Sequence, residues 1–373
     1  MKKVVAVFVC LLLLVSMLGV SAVVLAGKPD KCEPWPECRD GGGEEPPIGT
    51  EYQITFSEDG GYEYNPIIYG NLMVWCGYRY GEADIFMFDL GEDGIPYTDD
   101  DGGETRITTD PTTKQLSPAI WENRIVYDSN ENGNEDVFLY DITTGITTQI
   151  TTDSADQWNP KIYGDYIVWV DTRNGNRDVY AYDLGTGTEM QITTDPDDQA
   201  HPNVYGDIIA WTDFRNGAVS LEGDIYMYKF STGEEYAITD DDFGQNWQHI
   251  WDNKIVWSDS RNGNNADIYM YDLGPDGIPF TGDTGEGEYQ LTSDDRKNTF
   301  PRLYGDMVAF HGYKKLNRNK IYNNIYTYNL VSGDTDQITS SNKAQQAPHI
   351  FGDHIVYTDS RDGTYDIYLF ILD

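Results

Sequence analysis

Basic residues are scarce in this 373-residue chain, in which 25 lysines and arginines stand against 63 aspartates and glutamates. The formal net charge of -38 surrounds the protein with a strongly negative field. Such a field repels phosphate backbones and anionic lipids, so we expect no nucleic-acid partner. Three explanations of the imbalance stay open: a solubilising surface, adaptation to high salt, and a surface that collects divalent cations.

Cysteine is also rare, with four residues in the whole chain. Cys10 falls in an N-terminal apolar stretch, and Cys76 lies alone in a strand-like run, where we expect a buried and inert thiol. Cys32 and Cys38 bracket the sequence EPWPE. In an oxidising exterior, this pair is predicted to close a small disulfide loop.

Long apolar runs are absent beyond the N-terminus, where Lys2 and Lys3 precede apolar residues 4–26. Residues 1–26 are therefore predicted to be a secretory signal, which places the protein outside the cell or on its surface. An uncleaved anchor is the alternative, because the stretch is long enough to span a bilayer. Membrane contact is expected only through this segment. Residues 27–48 are predicted to form a linker.

The chain is rich in one repeated pattern, in which an aromatic residue precedes a two-residue turn and a run of Ile and Val. The pattern occurs seven times, with its aromatic residue at Tyr69, Trp121, Tyr163, Tyr205, Trp251, Tyr304 and Phe351. The copies are 42 to 53 residues apart, and each contains four short runs with β-strand composition. This period predicts an all-β, seven-bladed β-propeller.

The two ends of the repeat region predict how the ring closes. The last copy stops at residues 366–373 without a fourth strand. Residues 51–55 (EYQIT) nearly repeat residues 288–292 (EYQLT), which form the fourth strand of the fifth copy. We therefore expect the N-terminal strand to complete the last blade of a propeller that spans residues 49–373.

The order of residues within one copy carries a family resemblance. Residues 160–193 read Pro, aromatic-Gly-Asp, Ile-Val-Trp, Asp-x-Arg-Asn-Gly, Asp-Val-Tyr, Asp-Leu-x-x-Gly and Gln-Ile-Thr. This order resembles the TolB-type, or WD40-like PD40, propeller repeat, especially its versions on prokaryotic surface proteins. The resemblance covers about residues 49–373 and implies the fold. It does not imply one function, because the architecture hosts many roles.

Two departures limit what the resemblance implies. TolB carries an α/β domain before its propeller, where we expect a short linker in this chain, and propeller peptidases carry a hydrolase domain, for which the sequence shows no signal. No Gly-x-Ser-x-Gly nucleophile elbow occurs in the chain. We therefore expect neither the role of TolB nor peptidase activity.

A repeat provides an internal control, because residues shared by every copy serve the common blade and residues that differ are free to serve a site. Asp171 and Arg173 recur as a pair in four copies and are assigned to the scaffold. The innermost strand, in contrast, differs from copy to copy. The candidate ligand-binding residues in or near it are Trp158, Asn159, Lys161, His201, Trp247, His249, Phe300, Arg302 and His349.

We expect these candidates to line the central channel, where propellers generally bind ligands. In one interpretation they form a polar and aromatic pocket, in which Trp158 and Trp247 stack on a ligand and Lys161 and Arg302 meet its acidic or hydroxyl groups. In the other interpretation the channel is filled with water and has no specific ligand.

Three of the candidates, His201, His249 and His349, raise the question of a transition metal, because imidazole is a common ligand of such ions. The proximity of Gln345 and Gln346 to His349 is loosely similar to metal-dependent oligogalacturonate lyases, which also use a seven-bladed propeller. The histidines come from three different copies. The favoured interpretation is therefore that they are ordinary polar residues.

Two acidic loops, DLGEDGIPYTDD at 89–100 and DLGPDGIPFTGD at 272–283, are near copies of each other. Each has Asp at positions one, five and twelve and Gly at six, as in a calcium loop, but lacks an acidic third position and the final Glu. The alternative is a solvated acidic hairpin. The predicted calcium ligands are Asp89, Asp93, Asp100, Asp272, Asp276 and Asp283.

The sequence thus predicts a secreted or cell-surface binding module whose channel and loops bind a glycan, envelope material or a surface protein. The alternative is a glycan-degrading lyase or hydrolase with its site in the channel, where His201, His249, His349 and Arg302 would be the candidate groups. Binding is favoured, because no single pair of carboxylates stands out as an acid and a base in so acidic a chain.

Overall fold

The computed structural model describes residues 49–56, 61–216, 223–263, 265–317 and 320–373. The predicted signal, linker and Cys32–Cys38 disulfide lie outside the described residues. All 28 regular elements of the described chain are β-strands. In these ranges there is no helix of the length and apolar character that a membrane span requires.

The strands are short and follow one another along the chain. The first are β1 (Gly49–Gln53), β2 (Glu63–Tyr69), β3 (Leu72–Tyr80), β4 (Glu82–Asp89), β5 (Gly103–Arg106), β6 (Gln115–Trp121), β7 (Arg124–Ser129), β8 (Asp136–Asp141), β9 (Ile146–Gln149), β10 (Gln157–Tyr163), β11 (Tyr166–Asp171), β12 (Asp178–Asp183) and β13 (Thr188–Gln191). The next are β14 (Gln199–Tyr205), β15 (Ile208–Asp213), β16 (Asp224–Lys229), β17 (Glu234–Ala237), β18 (Gln245–Trp251), β19 (Lys254–Asp259), β20 (Asp267–Asp272) and β21 (Gly287–Gln290). The last are β22 (Lys297–Tyr304), β23 (Met307–Asn317), β24 (Lys320–Asn329), β25 (Thr335–Gln337), β26 (Gln345–Phe351), β27 (His354–Asp359) and β28 (Asp366–Leu372).

These strands form seven antiparallel sheets of four strands each, which are the blades. Six blades use consecutive strands, from β2 to β5 in the first and from β22 to β25 in the sixth. The seventh has the order β1-β28-β27-β26, with Glu51 opposite Phe370 and Tyr52 opposite Leu369. The structure thus confirms the all-β, seven-bladed propeller whose N-terminal strand closes the last blade.

The hydrophobic core lies between neighbouring blades. In the second strand of the third blade, β11, every residue after Tyr166 is buried, because other blades cover both faces. Val168 and Val179 of the third blade pack in one cluster with Ile209 and Trp211 of the fourth. Since the apolar side chains of the middle strands face adjacent blades, the innermost strands are left to surround the axis of the ring.

The repeated Asp–Arg pairs belong to the scaffold, as the sequence predicts. Asp171 accepts hydrogen bonds from the indole Nε1 of Trp169 at 3.0 Å and from Arg173 at 2.6 Å. Arg173 also donates a hydrogen bond to the carboxylate of Glu189 in the outermost strand at 2.5 Å. Its guanidinium carbon lies 4.4 Å from the centroid of the Tyr180 ring. Each arginine thus connects the second strand of its blade to the outer edge, and its charge is already paired.

Cys76 is a buried free thiol, in agreement with the prediction from its strand context. Its burial raises the pKa of the thiol to about 12. The neutral thiol is a poor nucleophile and a poor metal ligand at physiological pH. Cys76 therefore acts as a small core residue.

Candidate ligand-binding site

The innermost strand of every blade contains an irregularity that directs residues toward the axis. In β10, for example, the pairing with β11 shifts between Trp158 and Lys161. One residue at this bulge has a left-handed backbone in each blade, with φ between 51° and 58°, although only glycine adopts such angles without strain. These residues, which we call the first ring, are Asn65, Ser117, Asn159, His201, Trp247, Phe300 and Ala347.

The first ring forms part of the wall of a central cavity of about 220 Å³. Two residues further along each strand lies a second ring, made of Ile67, Ala119, Lys161, Asn203, His249, Arg302 and His349. Eight of the nine predicted ligand-binding residues line this cavity. The exception is Trp158, which is not among the lining residues, so the structure does not place it in the channel.

A third set of residues, the aromatic ring, lies at the end of the cavity where the innermost strands turn. It consists of the seven aromatic residues that mark the repeat: Tyr69, Trp121, Tyr163, Tyr205, Trp251, Tyr304 and Phe351. Neighbouring side chains around the whole ring have centroids 4.0 to 4.8 Å apart. In the sequence these residues mark the copies of the repeat, and their place at the channel was not predicted. Their occurrence in every copy was the available signal.

Trp247 does not offer a free face to a ligand, which corrects its predicted role as a stacking platform. Its indole stacks on Phe300 with centroids 3.9 Å apart, and His201 lies 4.7 Å away on a neighbouring blade. Phe300 in turn contacts His311, with centroids 4.9 Å apart. These rings form a stack that stabilises one side of the first ring.

Two cations of the second ring, Lys161 and Arg302, form no direct ion pair with the described residues, although the more distant Asp128 attracts Lys161. The Nζ atom of Lys161 donates to Asn159 Oδ1 at 2.6 Å and to the carbonyl of Pro160 at 3.0 Å. Arg302 donates to the carbonyl of Pro301 at 2.8 Å. All three acceptors are neutral groups on the same strand as the cation. They orient the charges but do not compensate them.

The protonation of both cations is disfavoured by their surroundings. Burial, followed by the nearby charge of Arg302, lowers the pKa of Lys161 to about 7. Burial lowers the pKa of Arg302 to about 10. An anion bound between them would favour the protonated form of Lys161 and raise its pKa.

No aspartate or glutamate is among the residues that line the cavity, although the chain contains 63 of them. Asp128 comes near, because it accepts a hydrogen bond from the backbone N–H of Asn159 at 3.0 Å. It is a buried residue of the second blade, and burial raises the pKa of its carboxyl group. The cavity is therefore a positively charged site inside a strongly acidic protein.

His249 and His349 connect neighbouring blades across the channel wall. The Nδ1 atom of His249 accepts a hydrogen bond from the backbone N–H of Leu303 at 3.3 Å, and that of His349 accepts one from Ile68 at 3.5 Å. Burial lowers the pKa of His349 to about 3 and that of His249 well below its usual value. Both rings are thus neutral, with the proton on Nε2, and each retains one N–H donor.

For His249 and His349 this arrangement opposes a transition-metal site, because a metal on Nε2 would move the proton to Nδ1 and break the hydrogen bond from the backbone. In the described part of the chain, the group of three or more potential metal ligands that lie within 4.8 Å of one another is made of aspartates and not of histidines. The candidates His201, His249 and His349 do not form such a group. The structure therefore supports the interpretation of these histidines as polar wall residues.

The first acidic loop brings together two of its predicted calcium ligands. Oxygen atoms of Asp93, Asp100 and the unpredicted Asp101 lie within 4.8 Å of one another. Asp89 lies outside this group, and one of its oxygens accepts a hydrogen bond from the N–H of Gly91 at 3.0 Å. Calcium binding here stays a prediction, with Asp101 as an added candidate ligand.

The second acidic loop has the same turn but a different arrangement of acidic groups. Asp272 accepts from the N–H of Gly274 and Asp276 from the N–H of Ile278, both at 2.9 Å. Glu286 accepts from the N–H of Asp283 at 3.0 Å. No group of three close ligands is found among the described residues of this loop. Its calcium site also stays a prediction, with weaker geometric support.

Comparisons with known proteins extend this description. No family model matches the chain, and no curated protein matches it. The fold resembles oligogalacturonate lyase from Vibrio parahaemolyticus, with 11% identity, TM-score 0.63, and coverage of 87% of this chain and 93% of that one. It also resembles the β-propeller domain of the Trilobed protease from Pyrococcus furiosus, with 12% identity, TM-score 0.61, and coverage of 83% and 95%.

TolB from Acinetobacter baumannii is a further structural neighbour, with 19% identity and a TM-score of 0.50. The similarity covers 78% of this chain and 66% of the TolB chain, so this chain spans only part of that protein's length. The neighbours and the seven blades together show a TolB-like β-propeller. At these identities the comparisons establish the fold and leave the activity to be inferred from the site.

Proposed function

We propose that this protein is an extracellular or cell-surface binding module whose channel takes an anionic group of a glycan. The observation that carries the proposal is the sign of the charge in the cavity. Lys161 and Arg302 line it, whereas no acidic side chain does, in a chain with a net charge of -38. The predicted export signal supports a location where extracellular glycans are available.

The size of the cavity limits what it can hold. Its volume of about 220 Å³ lies below the range of about 300 to 1,000 Å³ that is usual for drug-sized ligands. The cavity therefore suits a single charged group or one sugar acid. Arg302 suits a carboxylate or sulfate, because its guanidinium can donate two parallel hydrogen bonds, and the Nε2–H groups of the two histidines add neutral donors.

Equilibrium binding of glucuronate and of an alginate-derived hexuronate tests this proposal. Replacing either cation, in Lys161→Met or Arg302→Met, is expected to weaken binding at least about tenfold, since a charged hydrogen bond contributes about 1.5–3 kcal/mol. Lys254→Met is the matched control, because Lys254 lies 3.7 Å from Asp272 and away from the cavity wall. Equal affinities for all four proteins would overturn the proposal.

A lyase is the second candidate, and the pKa of Lys161 near 7 is the observation that favours it. A neutral lysine at that pKa is a competent general base at physiological pH. In a β-elimination it would take the proton next to the carboxylate of a uronate. The electron pair would form the C=C bond while the glycosidic C–O bond breaks, and the leaving oxygen would take a proton from water. One structural neighbour is named an oligogalacturonate lyase.

The two candidates give different results with the same hexuronate. A lyase produces unsaturated ends that absorb in the ultraviolet, and this absorbance would be lost in Lys161→Met. A binding module returns the hexuronate unchanged after long incubation at neutral pH. New unsaturated ends that depend on Lys161 would replace the binding proposal with the enzymatic one.

A further inference from the structure

A second cavity, which we call the tyrosine groove, lies where the first and last blades meet. Its volume is about 690 Å³, within the range of about 300 to 1,000 Å³ for small-molecule sites. Its lining residues are Tyr62, Tyr64, Asn65, Tyr78, Gly81, Gln346 and Tyr365. Four of the seven are tyrosines, and none carries a charge at neutral pH.

The tyrosines form two pairs along the groove. The rings of Tyr64 and Tyr78 stack with an interplanar angle of 24° and centroids 5.7 Å apart. The rings of Tyr62 and Tyr365 are tilted by 45°, with centroids 6.3 Å apart. Tyr62 has 51% of its surface exposed, so its ring is accessible to a ligand in the open groove.

Hydrogen bonds within the first blade and between the first and last blades position the segments that carry these tyrosines. The backbone N–H of Glu63 donates to the carbonyl of Tyr365 at 2.9 Å, and that of Tyr78 donates to the carbonyl of Tyr62 at 2.9 Å. The fully buried carboxylate of Glu63 also accepts a hydrogen bond from the indole of Trp75 at 2.5 Å. The groove is therefore a product of ring closure, since its residues come from both ends of the propeller.

The chemistry of the groove fits sugar rings. An aromatic face packs well against the C–H groups on one side of a pyranose, and phenol groups both donate to and accept from its hydroxyls. The amides of Asn65 and Gln346 add donors and acceptors, and neither side chain makes a hydrogen bond to the described residues. Neutral groups that bind hydroxyls on an aromatic floor are the composition expected for carbohydrate.

Asn65 lines both the groove and the central cavity, so the two cavities are adjacent. Gln346 directly precedes Ala347 of the first ring, so the groove opens at the first-ring end of the channel. We infer that the tyrosine groove binds the pyranose rings of an acidic glycan while one of its anionic groups occupies the central cavity. This inference extends the proposed function, because it assigns the ligand's uncharged part to residues outside the channel.

The test uses three probes on the whole protein: the alginate-derived hexuronate, free glucuronate and the neutral hexamer cellohexaose. The groove variant is Tyr62→Ala/Tyr365→Ala, and the channel variant is Lys161→Met/Arg302→Met. Phe243→Ala is the matched control, because Phe243 is also an exposed aromatic residue, with 51% of its surface exposed, in a loop before an innermost strand. Unfolding curves show whether each variant is folded.

The groove variant is expected to bind the hexuronate about five- to tenfold more weakly than the wild type, since it loses two aromatic contacts with the sugar rings. It should bind glucuronate as the wild type does, because one sugar acid fills the cavity alone. The channel variant should lose the binding of glucuronate but retain weak binding of cellohexaose. Phe243→Ala should change nothing.

The outcomes separate this inference from the proposal on which it rests. Unchanged hexuronate affinity in a folded groove variant, together with loss in the channel variant, would overturn the groove and leave the channel proposal intact. If the groove variant loses hexuronate binding while the channel variant binds the hexuronate with wild-type affinity, the channel proposal is overturned. Absence of binding of all three probes to the wild type would overturn both.

Discussion

Glu51, in the first strand of the propeller, forms a two-pronged ion pair with Arg361 of the last blade, with nitrogen–oxygen distances of 2.6 and 2.8 Å. The residues are 310 positions apart in the chain. Arg361 also pairs with Asp359, so the contact repeats the scaffold motif of the other blades with its acidic partner supplied by the opposite end of the chain. This pair ties the ring closed through side chains as well as through strand pairing.

Replacing this acidic partner should loosen the closure of the ring. Glu51→Gln is expected to lower the free energy of unfolding by about 1 kcal/mol, since the pair is partly exposed to solvent. Hydrogen exchange should become faster in β1, because this strand is held at one edge only. Glu235→Gln is the control, since Glu235 pairs with Arg215 at 2.7 Å within a single blade. Equal protection of β1 in both variants would contradict the closing role.

The pH dependence of stability should depend on His311. This residue is buried, interacts through Nε2 with Thr299 at 2.7 Å, and accepts from the N–H of Ala347 of the next blade at 3.3 Å. Burial lowers its pKa to about 4, whereas the unfolded chain protonates near pH 6.5. Above pH 6.5 His311 is neutral in both the folded and the unfolded state, so it does not make stability depend on pH. As the pH falls from 6.5 toward 4, the unfolded chain binds a proton that the folded protein does not, and the free energy of unfolding decreases.

The size of this loss of stability follows from the difference between the pKa values of His311 in the folded and the unfolded state. At pH 5 the loss amounts to about 2 kcal/mol relative to pH 7.5. His311→Gln should remove that part of the pH dependence. The difference in stability between this variant and the wild type at pH 7.5 measures the effect of the lost packing alone. Urea unfolding of both proteins at the two pH values measures the difference. Parallel pH profiles for the wild type and the variant would refute the assignment.

The two acidic loops should differ in calcium binding. The first loop groups Asp93, Asp100 and Asp101, whereas in the second loop Thr284 stands where the first has Asp101. Titration calorimetry is expected to show calcium uptake that is lost in Asp93→Asn and retained in Asp276→Asn, because a hard cation needs several oxygen ligands from one turn. No uptake by the wild type, or equal loss in both variants, would remove the proposed difference.

The aromatic ring should contribute strongly to stability. Tyr163 contacts Trp121 and Tyr205, with centroids 4.0 and 4.3 Å away. Tyr163→Ala removes both contacts and is expected to lower the free energy of unfolding by about 3–4 kcal/mol. Phe243→Ala, at an exposed position, should change it by less than about 0.5 kcal/mol. A similar small effect of both substitutions in urea unfolding would show that the ring is not a stabilising element.

The fold was predictable because its signals are local and repeated. Seven aromatic turn motifs gave the number of blades, and the likeness of residues 51–55 to residues 288–292 indicated which strand closes the ring. The internal control also separated the Asp171–Arg173 scaffold pair from the heterogeneous second ring. These inferences succeed because each blade is one supersecondary unit with the same packing and hydrogen-bonding requirements.

The site was predictable only in part, because side-chain contacts between blades leave no mark on the sequence. The stack of Trp247 on Phe300 and the hydrogen bond from Leu303 to His249 join residues of different blades. The tyrosine groove combines residues from the two ends of the propeller, such as Tyr64 and Tyr365. A repeat shows which positions differ, but only the closed ring shows which of them meet.

An anion that binds in the channel should cause the protein to take up a proton, because it favours the charged form of Lys161. Lys161 has a pKa of about 7, so it is mostly neutral at pH 8 and mostly protonated at pH 6. Calorimetry of glucuronate binding in buffers with different ionisation enthalpies measures proton uptake. An anion site beside Lys161 predicts uptake of close to one proton at pH 8, close to zero at pH 6, and none in Lys161→Met. Binding without proton uptake at pH 8 would contradict it.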